Sequence, residues 1–168
     1  ILYVVVRYPI EKYAQLKFDV MRNKYLKMTH RCSSHQDLVH LKADFFMTGS
    51  DQVWGPTMNG HYDSAYFLQF VDDGTPKLAY AASFGKTKFE EKTTVEYRSM
   101  LAEYDKIAVR ENSAVELIEG WGLTNCVGQV LDPTLLLNKE EWKRLLVKES
   151  DTDKYKNRKY ILVYQIHN

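Results

Sequence analysis

The chain has 168 residues, of which 45% are hydrophobic and 27% charged, and its formal net charge is +1. That length suits one full core and favours a single soluble domain, while the near-neutral charge gives no electrostatic case for nucleic acid or a membrane surface. Cys32 and Cys126 lie far apart, form no metal or redox motif, and read as free thiols of a reducing cytoplasm.

Ile1–Val6 is β-branched and apolar and reads as a strand ended by Pro9; Arg7 and Pro9 make it too short for a signal segment or a membrane span. A helix is predicted from about Glu11 to Met28, with Ala14, Phe18, Met21, Tyr25 and Met28 on one inward face and basic residues around it. A polar loop follows, then a short helix over Asp37–Lys42. His30, Cys32, His35 and His40 match no standard zinc spacing, and no metal site is expected there.

Asp44–Gly49 is an apolar run, the pattern of a strand buried on both faces, and it breaks into the polar loop Ser50-Asp51-Gln52 before Trp54. Three segments repeat that layout: Leu78–Gly85, Lys106–Asn112 and Cys126–Thr134. Between them lie an aromatic run, Ala65–Phe70, a turn at Asp72–Pro76, and two helices. The first helix is Phe89–Tyr104, with Val95, Met100 and Leu101 inward; the second is Ala114–Trp121, capped by Asn112 or Ser113 and closed by Gly122. A helix over Lys139–Val147 leads into a charged linker, 148–159, and a last strand, Tyr160–Ile166. Strands alternating with helices at this spacing imply βαβ units in a parallel sheet, an α/β Rossmann-like fold. The Ile start and the apolar end suggest a piece of a longer protein.

A parallel sheet of this kind binds ligands at the carboxyl ends of its strands, so the strand-end residues are the candidates. Asp51 offers a carboxylate to a substrate hydroxyl, or else caps its own loop. Glu111 is a second carboxylate, or a salt-bridge partner of Arg110; Asp132 either faces the crevice or fixes the turn at Pro133. Trp54 offers a flat indole face to a ligand, or packs in the core. Ser50 and Ser83 donate hydroxyls, and Gly49 and Gly85 permit close backbone approach. With no Gly-x-Gly-x-x-Gly and no Walker loop, dinucleotide binding and nucleotide hydrolysis have no support.

Four of these segments occur in an order that resembles the polysaccharide pyruvyl transferase family. They are Gly49-Ser50-Asp51-Gln52-Val53-Trp54 with Pro56 and Tyr66-Phe67-Leu68; Tyr80-Ala81-Ala82-Ser83-Phe84-Gly85; Val109-Arg110-Glu111 with Ser113; and Leu131-Asp132-Pro133-Thr134-Leu135-Leu136-Leu137. Gly55 departs from the family pattern, which usually has Asn there. The resemblance implies one half of a two-domain, GT-B-like transferase that moves a pyruvyl group from phosphoenolpyruvate to sugar hydroxyls as a ketal, in polysaccharide or exopolysaccharide synthesis. It implies Asp51 and Glu111 as catalytic residues, and Gly49, Ser50, Gln52, Trp54, Ser83, Phe84, Arg110 and Asp132 as substrate-binding. Residues 1–147 would be an acceptor-side N-terminal domain lacking the family's first strand, and 160–168 the first strand of a truncated C-terminal domain that carries the donor site. No cofactor is implied beyond phosphoenolpyruvate as donor substrate. Expected partners are a saccharide or lipid-linked saccharide acceptor, met at a membrane periphery from the cytoplasm, and the missing C-terminal domain; nucleic acid is not among them. The chain alone is then expected to be inactive. The competing readings are a GT-B-like glycosyltransferase using a nucleotide sugar and a non-catalytic saccharide-binding module.

Overall fold

The computed structural model describes residues 2–57, 62–145, 158–159 and 161. The chain divides into two compact units, Ile1–Leu41 and Lys42–Asn168. The expected strand Tyr160–Ile166 and most of the linker before it lie outside the described residues.

The first unit is helical. Helix α1 spans Leu2–Tyr25, so the described part of the expected strand Ile1–Val6 is instead the start of a helix that also runs through Pro9. Valines favour a strand only where a neighbour pairs its backbone. A helix satisfies most of the segment's C=O groups from within, losing one partner at Pro9, and leaves the first-turn N–H groups to solvent. The expected inward face is not buried: Phe18, Met21, Tyr25 and Met28 are all exposed. Helix α2, His35–Val39, starts two residues earlier than the sequence suggests because Ser34 and Asp37 form a reciprocal capping box. Nearby, His30 Nε2 lies 3.9 Å from Cys32 Sγ, but among the described residues no three His, Cys, Asp or Glu side chains gather to hold a metal. Both cysteines are free thiols. Among the described residues no helix is long and apolar enough to cross a membrane.

The second unit is an α/β Rossmann-like layer built on four parallel strands: β1 (Phe46–Thr48), β2 (Lys77–Ala82), β3 (Lys106–Val109) and β4 (Cys126–Gln129). Their order in the sheet is their order in the chain. When a parallel sheet grows in one direction by crossovers of one hand, every crossover falls on the same face. The core shows the consequence. Trp54 and Phe67 from the β1–β2 connection, Tyr97, Met100 and Leu101 from α3 (Glu91–Ala102), and Ala114 and Ile118 from α4 (Asn112–Gly120) bury one face together with Ile107 and Val109 of β3. Met47 and Val127, on the outer strands, are exposed. The expectation that β1 is buried on both faces therefore fails: Phe45 and Met47 are exposed while Thr48 is buried, the alternation of an edge strand.

Helix phase explains a second correction. Tyr97, Met100 and Leu101 share a face at spacings of three and four. Val95 lies two residues before Tyr97, about 200° around the helix, and is 64% exposed. The N-cap of α4 is Glu111, without a side-chain cap bond, rather than Asn112 or Ser113. Its C-terminus closes as expected: Gly122, at φ +77, donates to the Glu119 carbonyl and Leu123 donates to that of Ile118, a Schellman motif. The connection between β1 and β2 carries a 3-10 turn, Ser64–Phe67, and a second such turn, Pro133–Leu135, precedes α5 (Lys139–Leu145).

Candidate functional site

Because all four strands run the same way, the loops after them open on one edge of the sheet. After β1 the chain turns sharply. Gly49 has φ +122, and a Cβ placed on it would collide with the Tyr80 carbonyl oxygen, so only glycine lets the backbone pass β2 here. The Gly49–Ser50 peptide is cis. Asp51 sits at φ +83, a left-handed conformation that a side chain rarely adopts, and is fixed there by its own carbonyl, which accepts from the N–H groups of Val53 (2.8 Å) and Ser83 (2.9 Å). The Asp51 side chain is 80% exposed. The main chain therefore holds this residue while its carboxylate, exposed at the strand-end edge, caps none of its own loop. Loop capping by that side chain, the plainer reading of Asp51, is not what the geometry shows.

Arg110, at the end of β3, gathers the carboxylates. Its Nε donates to Glu111 Oε1 at 2.8 Å, and its Nη1 donates to Asp51 Oδ1 at 3.3 Å and Asp132 Oδ2 at 3.5 Å. Its backbone is tied on both sides: the N–H donates to the Ala82 carbonyl (3.1 Å) and the carbonyl accepts from Gln129 Nε2 (3.0 Å). The hydrogen bond to Glu111 holds the Arg110 proton more tightly than usual. Asp132 also fixes its own turn, accepting from the Thr134 N–H (3.0 Å) and hydroxyl (2.7 Å); these bonds, with a smaller contribution from Arg110, hold its carboxyl below the ordinary carboxylate range. The turn-fixing reading of Asp132 thus holds, with a contact to Arg110 beside it, but Asp132 does not line the crevice described next; Glu111 is a salt-bridge partner that does line it.

A crevice of about 330 Å3 opens beside this cluster, lined by Gln52, Ser83, Phe84, Gly85, Lys86, Thr87, Glu111, Ser113 and Ala114. Gln52 crosses it closely enough that a Cβ on Gly85, at φ +63, would touch its amide at 2.8 Å. Ser83 is buried and its hydroxyl accepts from the Gly85 N–H at 3.1 Å, so it shapes the crevice floor as well as lining it. Lys86 and Thr87 were not singled out from the sequence. The signal for them was their place directly after the Ser83–Gly85 strand end, where a lining residue is to be expected.

Trp54 does not reach the crevice. It is 0% exposed, stacks on Phe67 with centroids 5.9 Å apart, packs against Phe84 and Tyr104, and donates its indole N–H to the Tyr66 carbonyl at 3.2 Å. Of its two readings the core one holds, and an indole with no free face cannot stack on a sugar. Phe84 is also core, with only an edge at the crevice wall.

A search of curated proteins and a search of solved structures each returned no match. The family model for polysaccharide pyruvyl transferase matches residues 2–167, nearly the whole chain, and the four strand ends that build the site carry the segments by which the sequence resembles that family. The chain belongs to the polysaccharide pyruvyl transferase family.

Proposed function

We propose that this chain forms the acceptor-side wall of an enzyme that transfers a pyruvyl group from phosphoenolpyruvate to two hydroxyls of a saccharide or lipid-linked saccharide, leaving a ketal and inorganic phosphate. The observation that carries the reading is the convergence of Asp51, Glu111 and Asp132 on one guanidinium beside the crevice. Three carboxylates meet the one guanidinium of Arg110, so this strand-end cluster is net negative, while in the adjoining crevice lining Lys86 offsets Glu111. Such a cluster repels a donor that carries a phosphate and a carboxylate, and it accepts hydrogen bonds from uncharged hydroxyls. The donor is then held by a second wall, on residues beyond those described, and the chain by itself does not turn over.

The chemistry sets the demands. The methylene carbon of the enol phosphate gains a proton, one sugar oxygen bonds to the adjacent carbon, and phosphate leaves with the C–O electron pair. A second hydroxyl closes the ketal at the same carbon. Of the two protons released by the hydroxyls, one balances that placed on carbon and the other departs with phosphate. Asp51, exposed and aimed off the strand end, takes the proton of the attacking hydroxyl; Glu111, with one oxygen on Arg110, receives a hydrogen bond from its neighbour on the sugar. In the full-length enzyme Asp51→Asn keeps the shape and removes the base. Turnover should fall by a factor of ~100 or more with an unchanged melting temperature. Normal turnover in that variant refutes the role, and transfer from nucleotide sugars with none from phosphoenolpyruvate refutes the donor.

A further inference from the structure

We propose that Arg110 is a positioning residue: it draws the carboxylates of Asp51, Glu111 and Asp132 from three different loops into one cluster and sets the direction of Asp51, rather than binding substrate itself. The inference rests on the reading of Asp51 as the acceptor base.

Asp51 follows β1 and Asp132 follows β4, the two outer strands, whereas Arg110 follows β3 between them. Without a cation between them, carboxylates drawn together from these strand ends repel each other, and the exposed one swings into solvent. Arg110 is suited to prevent this because it is anchored at both ends. Its main-chain N–H and carbonyl are tied to Ala82 and Gln129, and its side chain is only 26% exposed. The Nε proton and the two Nη1 protons point at the three carboxylates. A lysine at the same position keeps the charge but has one terminal nitrogen, and it cannot reproduce a planar fork that serves three acceptors at separate angles. Arg110 is also linked to Asp51 through the backbone. Ala82 accepts from the Arg110 N–H, pairs with Asp51 in an isolated parallel bridge, and precedes Ser83, whose N–H donates to the Asp51 carbonyl. Side chain and backbone thus fix the same residue from two directions.

The test is a double-mutant cycle in the full-length protein, measuring kcat and the acceptor KM for Arg110→Gln, Asp51→Asn and the pair, with Arg110→Lys as the conservative variant. If Arg110 acts through Asp51, Arg110→Gln lowers kcat by ~10-fold or more with the acceptor KM moving less than about twofold, and the pair is no slower than Asp51→Asn alone. Arg110→Lys recovers part of the loss and shows that the fold tolerates a change there. Losses that multiply in the pair overturn the proposal, as does a raised KM with kcat intact, which marks a substrate contact. A second readout does not depend on turnover: carboxyl carbon NMR signals of Asp51 and Asp132 in the 168-residue chain. Both signals should move in Arg110→Gln and return toward their positions in Arg110→Lys; signals that stay put overturn the proposal. Absence of pyruvyl transfer by the unmodified enzyme removes the assigned reaction, while these signals still decide whether Arg110 holds the cluster.

Discussion

The backbone at Asp51 offers a perturbation whose sign reverses the usual order of residues. An L-residue in the left-handed region costs roughly 1–2 kcal/mol, and Asp51 stands there at φ +83. Replacing it with glycine removes that cost but adds unfolded-state freedom worth about 0.5–1 kcal/mol. The ion pair with Arg110, at 3.3 Å with the Asp51 side chain 80% exposed, is screened by solvent and counts for no more than about 0–1 kcal/mol. Asp51→Gly should therefore lie within about 1 kcal/mol of the unmodified chain. Asp51→Ala keeps the backbone cost and loses the ion pair, so glycine should exceed alanine by about 0.5–1 kcal/mol. Urea unfolding of the three chains measures this directly, and in a thermal melt the gap is about 1–4 °C. Elsewhere in regular structure alanine is the more stable of the two. If alanine equals or exceeds glycine at position 51, the loop relaxes to negative φ and the claim that it is held against its preference is wrong. Both variants should lose transfer in the full-length enzyme. Stability gained or kept while activity is lost is the mark of a residue placed for chemistry.

Two further predictions address the core beneath the site. Trp54→Phe should cost about 1–3 kcal/mol, since it removes buried volume and the bond to the Tyr66 carbonyl, and should leave the acceptor KM unchanged; a raised KM with intact stability would restore the sugar-stacking role. Burial pushes the Tyr97 hydroxyl up to about 12 from its ordinary 10.0. The unfolded chain thus sheds that proton first, binds fewer protons between those values, and stability falls as pH rises through that window while staying flat below it with respect to this group. Tyr97→Phe should lessen the alkaline loss, part of which remains because burial also raises Tyr104, and should cost about 1 kcal/mol below pH 10 because the Trp54 carbonyl loses its donor at 2.9 Å. An alkaline profile that is the same in both chains by urea unfolding would contradict this.

The sheet was legible in the sequence because each of its strands is a short run closed by turn chemistry, although the exposed Met47 and Val127 show that such a run does not report burial on both faces. Ile1–Val6 was misread by the same rule. A valine run states a preference, and the preference is realised only where another strand completes the backbone pairing. Val95 was misplaced because apolar character alone does not fix helix phase: its two-residue offset from the buried Tyr97 puts the two on opposite sides of α3. At the site, the topology was enough to bring Asp51, Arg110, Glu111 and Asp132 to one edge, because parallel strands leave no other place for their ends. Sequence could not show that one guanidinium serves all three carboxylates. That depends on β3 lying between the outer strands and on side-chain reach across the loops, neither of which is written in local spacing. Trp54 was balanced between core and ligand because an indole suits both, and only its neighbours Phe67, Phe84 and Tyr104 decide between them.

Where the backbone departs from its preferences also locates the site. Among the described residues three non-glycine positions have positive φ: Asp51, Leu68 and Ala81. Leu68 ends a 3-10 turn, a local need of the turn itself. The other two are joined across the strand ends. Ala81, at φ +52, sits where the pairing of β2 with β3 slips between Ala79 and Ala82, and that slip presents the Ala82 carbonyl to the Arg110 N–H. Asp51 in turn pairs with Ala82. Each left-handed position costs about 1–2 kcal/mol, and neither is needed to build a parallel sheet. A regular β2 would run past Asp51 and Arg110 without tying them together. The buried aromatic cluster around Trp54 and Tyr97 lies directly under this bend and supplies burial enough to hold it. Of the register slips among the described strands, the one in β2 therefore lies where Asp51 leaves its strand end, next to the Arg110 guanidinium, while the other falls between β3 and β4 at Ile107 and Ala108.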